Sequence, residues 1–398
     1  MRVKAPRKRQ RRLIGGIVSA VALLMTSAAI VQSKTDSSWR AMEDAHKALH
    51  ANWLAQPGTR ELLWGTATEG HAFHHYEQAA DIMSRVIEQD TSLRDLIGKS
   101  DEQVAEMAGK LRKAWQPALA ELGTGAHKSH MRVTTDKFTD RPMVNFLNYR
   151  WVSNAAAFET RYLRRAGEDQ ASVRVTLDSL SMAADICNEG LLINQITGVA
   201  MVAIAIEPWT DDALRELDPE AATELANGLA KLDAQLPENM QTNRELLWLT
   251  EQFQKELDQE EWIDGGSWRY GFSARWMLAD AVLKTAVNYN RMDNTGTTDW
   301  NARQRLSNQI SKELNECGND VAAMMFPDLI SCEKTIRHSL GKVRLLRMAL
   351  DIRRGVESEP LADPFGTGPL QIEESPETLT LKSVGNAGHE QLEFVMAR

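Results

Sequence analysis

From Trp39 to Arg354 the apolar residues return every three or four positions with few breaks, and a chain patterned this way can bury itself only as packed helices. Trp39, Met42, Ala45, His46, Leu49 and Trp53 make one stripe, and Ala72, Tyr76, Ala79, Ala80 and Met83 a second. Asp101 and Glu102 open a third, carried by Val104, Met107 and Leu111, where two carboxylates suit the positive end of the helix dipole. Pro117 and the segment Gly123-Thr-Gly125 predict its end, and the polar residues 123–140 read as a surface loop.

The middle of the chain repeats one unit, helix, short turn, helix. Helices are expected over about 142–165, 169–187 and 191–206, with Gly167 as the first break. Further helices are expected over about 219–236, 239–260, 272–290, 300–317 and 330–354, with Pro219 as a first helical residue behind an Asp218 cap. This is the unit of antiparallel bundles and of α-solenoids, but no strict repeat runs through it. The stretch Leu191–Ile206 is nearly all apolar, yet it is short for a membrane span and contains Asn194 and Gln195. It reads as a buried core helix.

After Arg354 the character changes. Pro360, Pro364, Gly366, Gly368 and Pro369 arrive close together, then Leu370-Gln-Ile372 and Leu379-Thr-Leu-Lys-Ser-Val384 alternate as strands do. A third strand near Leu392–Val395 fits the same pattern. The expected fold is therefore mostly α: an N-terminal transmembrane helix, a helical bundle or irregular α-solenoid, and a small C-terminal β-hairpin. The parts are a basic tail (1–12), a membrane segment (13–32), an all-α domain (33–355) and a Pro/Gly-rich linker with the hairpin (356–398).

The chain opens with Arg2, Lys4, Arg7, Lys8, Arg9, Arg11 and Arg12, followed by twenty uncharged residues from Leu13 to Gln32. Twenty helical residues rise about 30 Å, the thickness of a bilayer core, and a one-sided basic cluster is expected to stay in the cytoplasm. The segment reads as a retained anchor, or as a signal peptide cut after Ser27, Ala28 and Ala29. Arg11-Arg12 suits a twin-arginine signal, and Gly15-Gly16 a prepilin leader, although Val21 stands where a pilin carries Glu. Each reading places the remaining residues outside the cytoplasm. The expectation is a single-pass protein of the cytoplasmic membrane with its bulk extracytoplasmic.

The net charge of -9 becomes -16 when the seven N-terminal cations are set aside. So acidic a surface repels phosphate backbones, which argues against nucleic acid as a partner. The partners expected are the membrane and other envelope proteins.

The C-terminal segments Asp363-Pro-Phe-Gly-Thr-Gly-Pro-Leu370 and Leu379-Thr-Leu-Lys-Ser-Val-Gly385 resemble the ending of the major pseudopilins of type II secretion. The same ending closes a set of uncharacterised, membrane-anchored, helix-rich proteins of planctomycete and myxobacterial type. Leu163-Arg-Arg-Ala-Gly167, Leu180-Ser-Met-Ala-Ala184 and Leu192-Ile-Asn-Gln-Ile196 through Ile206 are similar to the central helices of that set. The resemblance implies a β-hairpin, in some members with calcium held by an acidic loop. Here Asn386, Ala387, Gly388, His389 and Glu390 occupy that loop, a poor set for an ion that wants six to eight oxygens. No cofactor is expected.

Chemistry-bearing motifs are scarce. No Gly-x-Ser-x-Gly elbow, phosphate-binding glycine loop or His-Glu-x-x-His stretch occurs. His46 and His50 are four apart on one helix, and His71, His74 and His75 follow at spacings of three and four. Such spacing puts imidazoles on one helix face, so His46, His50, His71 and His75 are the candidate metal ligands, with Glu69 and Glu77 as support. His127 and His130 lie in the expected loop as further candidates. Trp262, Trp268, Tyr270 and Trp276 bunch around Gly265-Gly266 and read as rings anchoring a loop, or as a stacking platform for carbohydrate or peptide. Cys317 and Cys332 are the cysteines that could pair in an oxidising compartment, and Cys187 suits a buried position. The function expected is a scaffold or interaction protein. The alternatives are a metal-dependent envelope enzyme built on the histidines and a carbohydrate-binding module built on the tryptophan loop.

Overall fold

The nearly all-apolar run that is too short to span a membrane becomes helix α5 (Leu192–Ile206), and its partner α4 (Asp169–Asn188) lies at the centre of the molecule. The computed structural model describes residues 33, 37, 40, 41, 43, 44, 46–51, 60–131, 146–189, 191–258, 268–293, 299–326, 328–357, 360–385 and 392–398. Among them α4 touches α2 (Asp101–Ala126), α3 (Phe146–Arg165), α5 and α7 (Pro219–Gln235). Its sequence is only weakly amphipathic, yet Ser172, Thr176, Ser179, Ser181, Asp178 and Asp185 are all buried beside Val173, Leu177 and Leu180. The hydroxyls solve their own desolvation: Thr176 donates to Ser172 O at 3.1 Å and Ser181 to Leu177 O at 2.9 Å. Gly198 lets α5 close on α4, since a Cβ there would stand 2.6 Å from Ala183 O and from Cys187 N.

The remaining elements follow in chain order. Strand β1 (Thr68–His71) runs straight into α1 (Ala72–Gln89), and a 3₁₀ turn (Thr91–Leu96) leads to α2. Ser100 and Gln103 form a reciprocal cap at the start of α2. Strand β2 (Lys128–His130) pairs with β1 in parallel. Beyond α5 come α6 (Asp211–Glu216), α7, α8 (Asn243–Asp258), α9 (Trp268–Asp293), α10 (Trp300–Glu316), α11 (Asp320–Met325) and α12 (Leu329–Arg353). Asp218 caps α7 and Asp299 caps α10. Helix α12 returns to pack on α5 and α7, and Ser339 donates to Val199 O across that contact at 3.1 Å. One apolar core runs from Leu63 to Met396.

The C-terminal part is a three-stranded antiparallel sheet, β3 (Gln371–Glu374), β4 (Thr378–Lys382) and β5 (Glu393–Ala397), in that order. Register pairs Ile372 with Leu381 and Leu381 with Phe394, so Leu379, Leu381 and Met396 share the face turned to α12. The molecule is thus mostly helical with a small terminal sheet.

Two expectations need correction. Pro117 does not end α2. The helix continues to Ala126, because Pro117 sits on the exposed side while Trp115, Ala118, Leu122 and Gly125 carry the buried stripe past it. The stretch 123–140 is accordingly not all loop: 123–126 is helix and 128–130 is strand. The basic tail and the apolar segment 13–32 lie outside the described residues. Among the described residues no helix is long and apolar enough to cross a membrane.

Candidate functional site at the head of the helical body

The segment Arg60 to Trp64, ahead of β1, is bonded to α1, α2, α4 and α7. Arg60 fills its guanidinium with acceptors: Lys128 O at 2.9 Å, Gly125 O at 2.5 Å, Ala126 O at 2.7 Å and the Tyr76 hydroxyl at 2.9 Å. Its salt-bridge partner is Asp185, on the buried face of α4. Tyr76 donates in turn to Asp185 Oδ2 at 2.8 Å, and burial pushes the Tyr76 hydroxyl far above its ordinary pKa, so it stays a donor. The planar five-donor fork of arginine suits a site where α2 presents its unpaired terminal carbonyls. Helix α7 clamps the same segment from the other side, Lys231 donating to Leu62 O at 3.0 Å and Gln235 to Glu61 O at 2.9 Å.

One turn away, Trp64 donates its indole N–H to Asp178 Oδ1 at 2.8 Å. His127 meets the Trp64 ring edge-on at 4.4 Å and brings Nε2 to 3.7 Å from the same carboxylate. Arg174 lies over the indole ring at 5.2 Å. Gly65, at φ +70°, makes the turn possible: a side chain would be strained there and would strike the His127 ring at 2.5 Å. Burial raises the Asp178 carboxyl to about 7, against the lowering pull of Trp64, Arg60 and Arg174. Burial also lowers His127, and the Arg60 charge adds to that, while a hydrogen bond with Thr66 opposes it. Aspartate and imidazole in contact resemble an acid–base pair. However, Trp64 already occupies the carboxylate oxygen that faces His127.

The sequence candidates are dispersed. The rings of His46 and His50 stack at 5.8 Å, and His46 Nδ1 is 3.0 Å from the Thr250 hydroxyl of α8. His75 Nδ1 meets Glu121 of α2 at 2.8 Å. His71 stands at the N-cap position of α1 without a side-chain capping bond and lies beside His130, with ring centres 5.6 Å apart. Among the described residues no group of three or more His, Cys, Asp or Glu side chains is gathered to hold a metal ion. Trp268, Tyr270 and Trp276 lie on α9, and Trp262 falls outside the described residues. Cys317 and Cys332, which could have paired, are free thiols here; the first follows the end of α10 and the second sits in the first turn of α12.

A second polar centre lies at the tail. Glu333 of α12 receives Arg303 on both oxygens at 2.6 Å and Arg337 at 3.0 Å, all three side chains being buried. Arg303 also donates to Met292 O at 2.7 Å, and Arg337 to Asn239 at 2.6 Å and to Pro364 O. Beside them Asp363 accepts from Phe365 N at 2.9 Å, Ser383 Oγ at 2.7 Å, Val384 N at 2.8 Å and Gly385 N at 3.0 Å. Gly385 lies directly on the Phe365 backbone, where no Cβ fits. The two C-terminal segments therefore meet as one lock, Asp363-Pro-Phe-Gly against Ser383-Val-Gly385. This arrangement is structural chemistry, with every donor spent on closing a loop. A cleft of about 540 Å³ opens beside it, between the loop 360–369 and Arg337, Arg344 and Glu238.

Sequence reasoning passed over Arg60, Trp64, Asp178 and Asp185. The available signal was two carboxylates seven residues apart on α4, the same face of a helix whose neighbours are small or apolar. Arg60 gave none, since its partners lie 16 to 125 residues away. No family model matches this chain, and no curated protein or solved structure matches it either.

Proposed function

We propose that this protein is a membrane-anchored extracytoplasmic scaffold that presents its helical body to other envelope proteins. The observation that supports this reading most directly is the docking of the segment 60–64. Arg60, Trp64 and two main-chain carbonyls tie it to four helices. A tether pinned in this way holds a body at a set distance and orientation from whatever precedes it, which is what a scaffold requires and a diffusing enzyme does not. The basic cluster and apolar run of the first 32 residues supply the proposed anchor. The acidic balance of the remainder favours partners with basic surfaces over nucleic acid.

The test is site-specific photo-crosslinking of the full-length chain in native membranes, with the probe at the exposed positions Met324, Ile193 and Leu147. Discrete crosslinked products, lost when Arg60→Ala frees the tether, are expected. A chain that stays in the soluble fraction, or gives no crosslink from any position, overturns the reading.

A further inference from the structure

We infer that His71 and His130 form a two-histidine site for a borderline divalent metal such as Zn²⁺ or Cu²⁺, stapling β1 to β2. The two residues are register partners in the parallel pair, so their side chains leave the sheet together. Their ring centres are 5.6 Å apart with planes 35° from parallel. Two imidazoles sharing one ion through bonds of roughly 2.0–2.1 Å hold their centres about 5–6 Å apart, and this spacing lies within that range. Both rings reach the surface, and neither has a hydrogen-bond partner among the described residues. The neighbouring histidines are already committed, His75 to Glu121 and His74 to Gln78.

With two nitrogen donors, the site leaves water or a partner's side chain to complete the coordination. Imidazole selects Zn²⁺, Ni²⁺ and Cu²⁺ over Ca²⁺ and Mg²⁺, which prefer oxygen. The location gives the ion a consequence. Strand β2 also carries Lys128 O, which accepts from Arg60, and the preceding His127 O accepts from Thr68 N at 2.7 Å. An ion bridging 71 and 130 therefore closes the wall against which the docked segment lies. Binding to the folded state alone raises its stability by mass action.

The experiment is calorimetric titration of the full-length protein in detergent with ZnSO₄, repeated with Cu²⁺ and read by electron paramagnetic resonance. One ion per chain, two-nitrogen hyperfine structure and a rise in Tm are expected. His130→Ala and His71→Asn should each weaken binding tenfold or more. Asn is itself a good first-cap residue, so His71→Asn keeps the start of α1 while removing the imidazole. His50→Ala should leave the affinity unchanged. No binding by the wild-type chain, equal binding by the His130→Ala chain, or loss on His50→Ala would each overturn the inference.

Discussion

At the head of the helical body Asp178 meets one indole N–H and an imidazole 3.7 Å away, whereas at the tail Asp363 is wrapped by three backbone N–H groups and a serine hydroxyl. Both side chains are buried. The first carboxyl has lost its water and recovered a single neutral donor, so its charge is costly and its pKa climbs to about 7. The second has had its water replaced by donors on both oxygens. Burial alone therefore does not set the behaviour of an acid; the number of donors that replace its hydration does. The head holds a segment arriving from elsewhere, and the tail closes a loop on itself.

The sharpest way to break this contrast is Arg60→Ala. It strands Asp185 in the core with only Tyr76 and leaves the last carbonyls of α2 unpaired. A loss of about 3–5 kcal/mol is expected in urea unfolding. Hydrogen exchange should rise first in 60–71 and 127–131, and a rise confined to the tail would contradict the assignment. Asp363→Ala removes the acceptor for four donors and should cost about 2–3 kcal/mol. Here the increased exchange should be confined to 363–385, leaving the head protected.

The contrast in charge is tested by pH. The folded Asp178 carboxyl titrates near 7 and its unfolded counterpart near 3.8, so between these values the folded state holds a proton that the unfolded state has released. Stability should therefore fall as pH rises through that window, by roughly 2 kcal/mol between pH 5 and 7. His127 pulls the other way, because its lowered pKa makes the folded state reluctant to accept a proton below about 6.5. Comparing wild type with Asp178→Asn isolates the aspartate, since both chains keep His127 and Asn keeps an acceptor for Trp64. The Tm difference should grow in favour of the variant from pH 5 to 8, and a pH-independent difference would refute the titration. The smallest effect expected is that of Gly65→Ala. The positive φ and the His127 ring together should cost about 1 kcal/mol and red-shift the Trp64 fluorescence as the indole becomes wetter.

Much of the fold was legible because its signals are local. The spans expected near 169–187, 191–206 and 219–236 match α4, α5 and α7 to within a residue or two. The alternation after Leu370 marked all three strands. What failed locally was the reading of Pro117, where tertiary packing of Trp115 and Leu122 outweighed one missing N–H. The strands β1 and β2 were not readable at all. They are four and three residues long, and they exist only because Arg60 and Thr68 bind the main chain at 127–128.

The candidate site divides along the same line. Asp363 reaches Ser383 across only 20 residues, within the Pro/Gly-rich and alternating C-terminal segments that the sequence set apart, although the bond itself was not legible there. Asp178 reaches Trp64 across 114 residues, and Lys231 reaches Leu62 across 169. By itself the sequence determined the helical periodicity, the caps, the terminal sheet and the acidic balance, because each follows from residues a few positions apart. The tertiary structure alone decided which acid would lose its water, which histidines would meet and where the leading segment would dock. Those outcomes depend on groups that become neighbours only after the helices have packed.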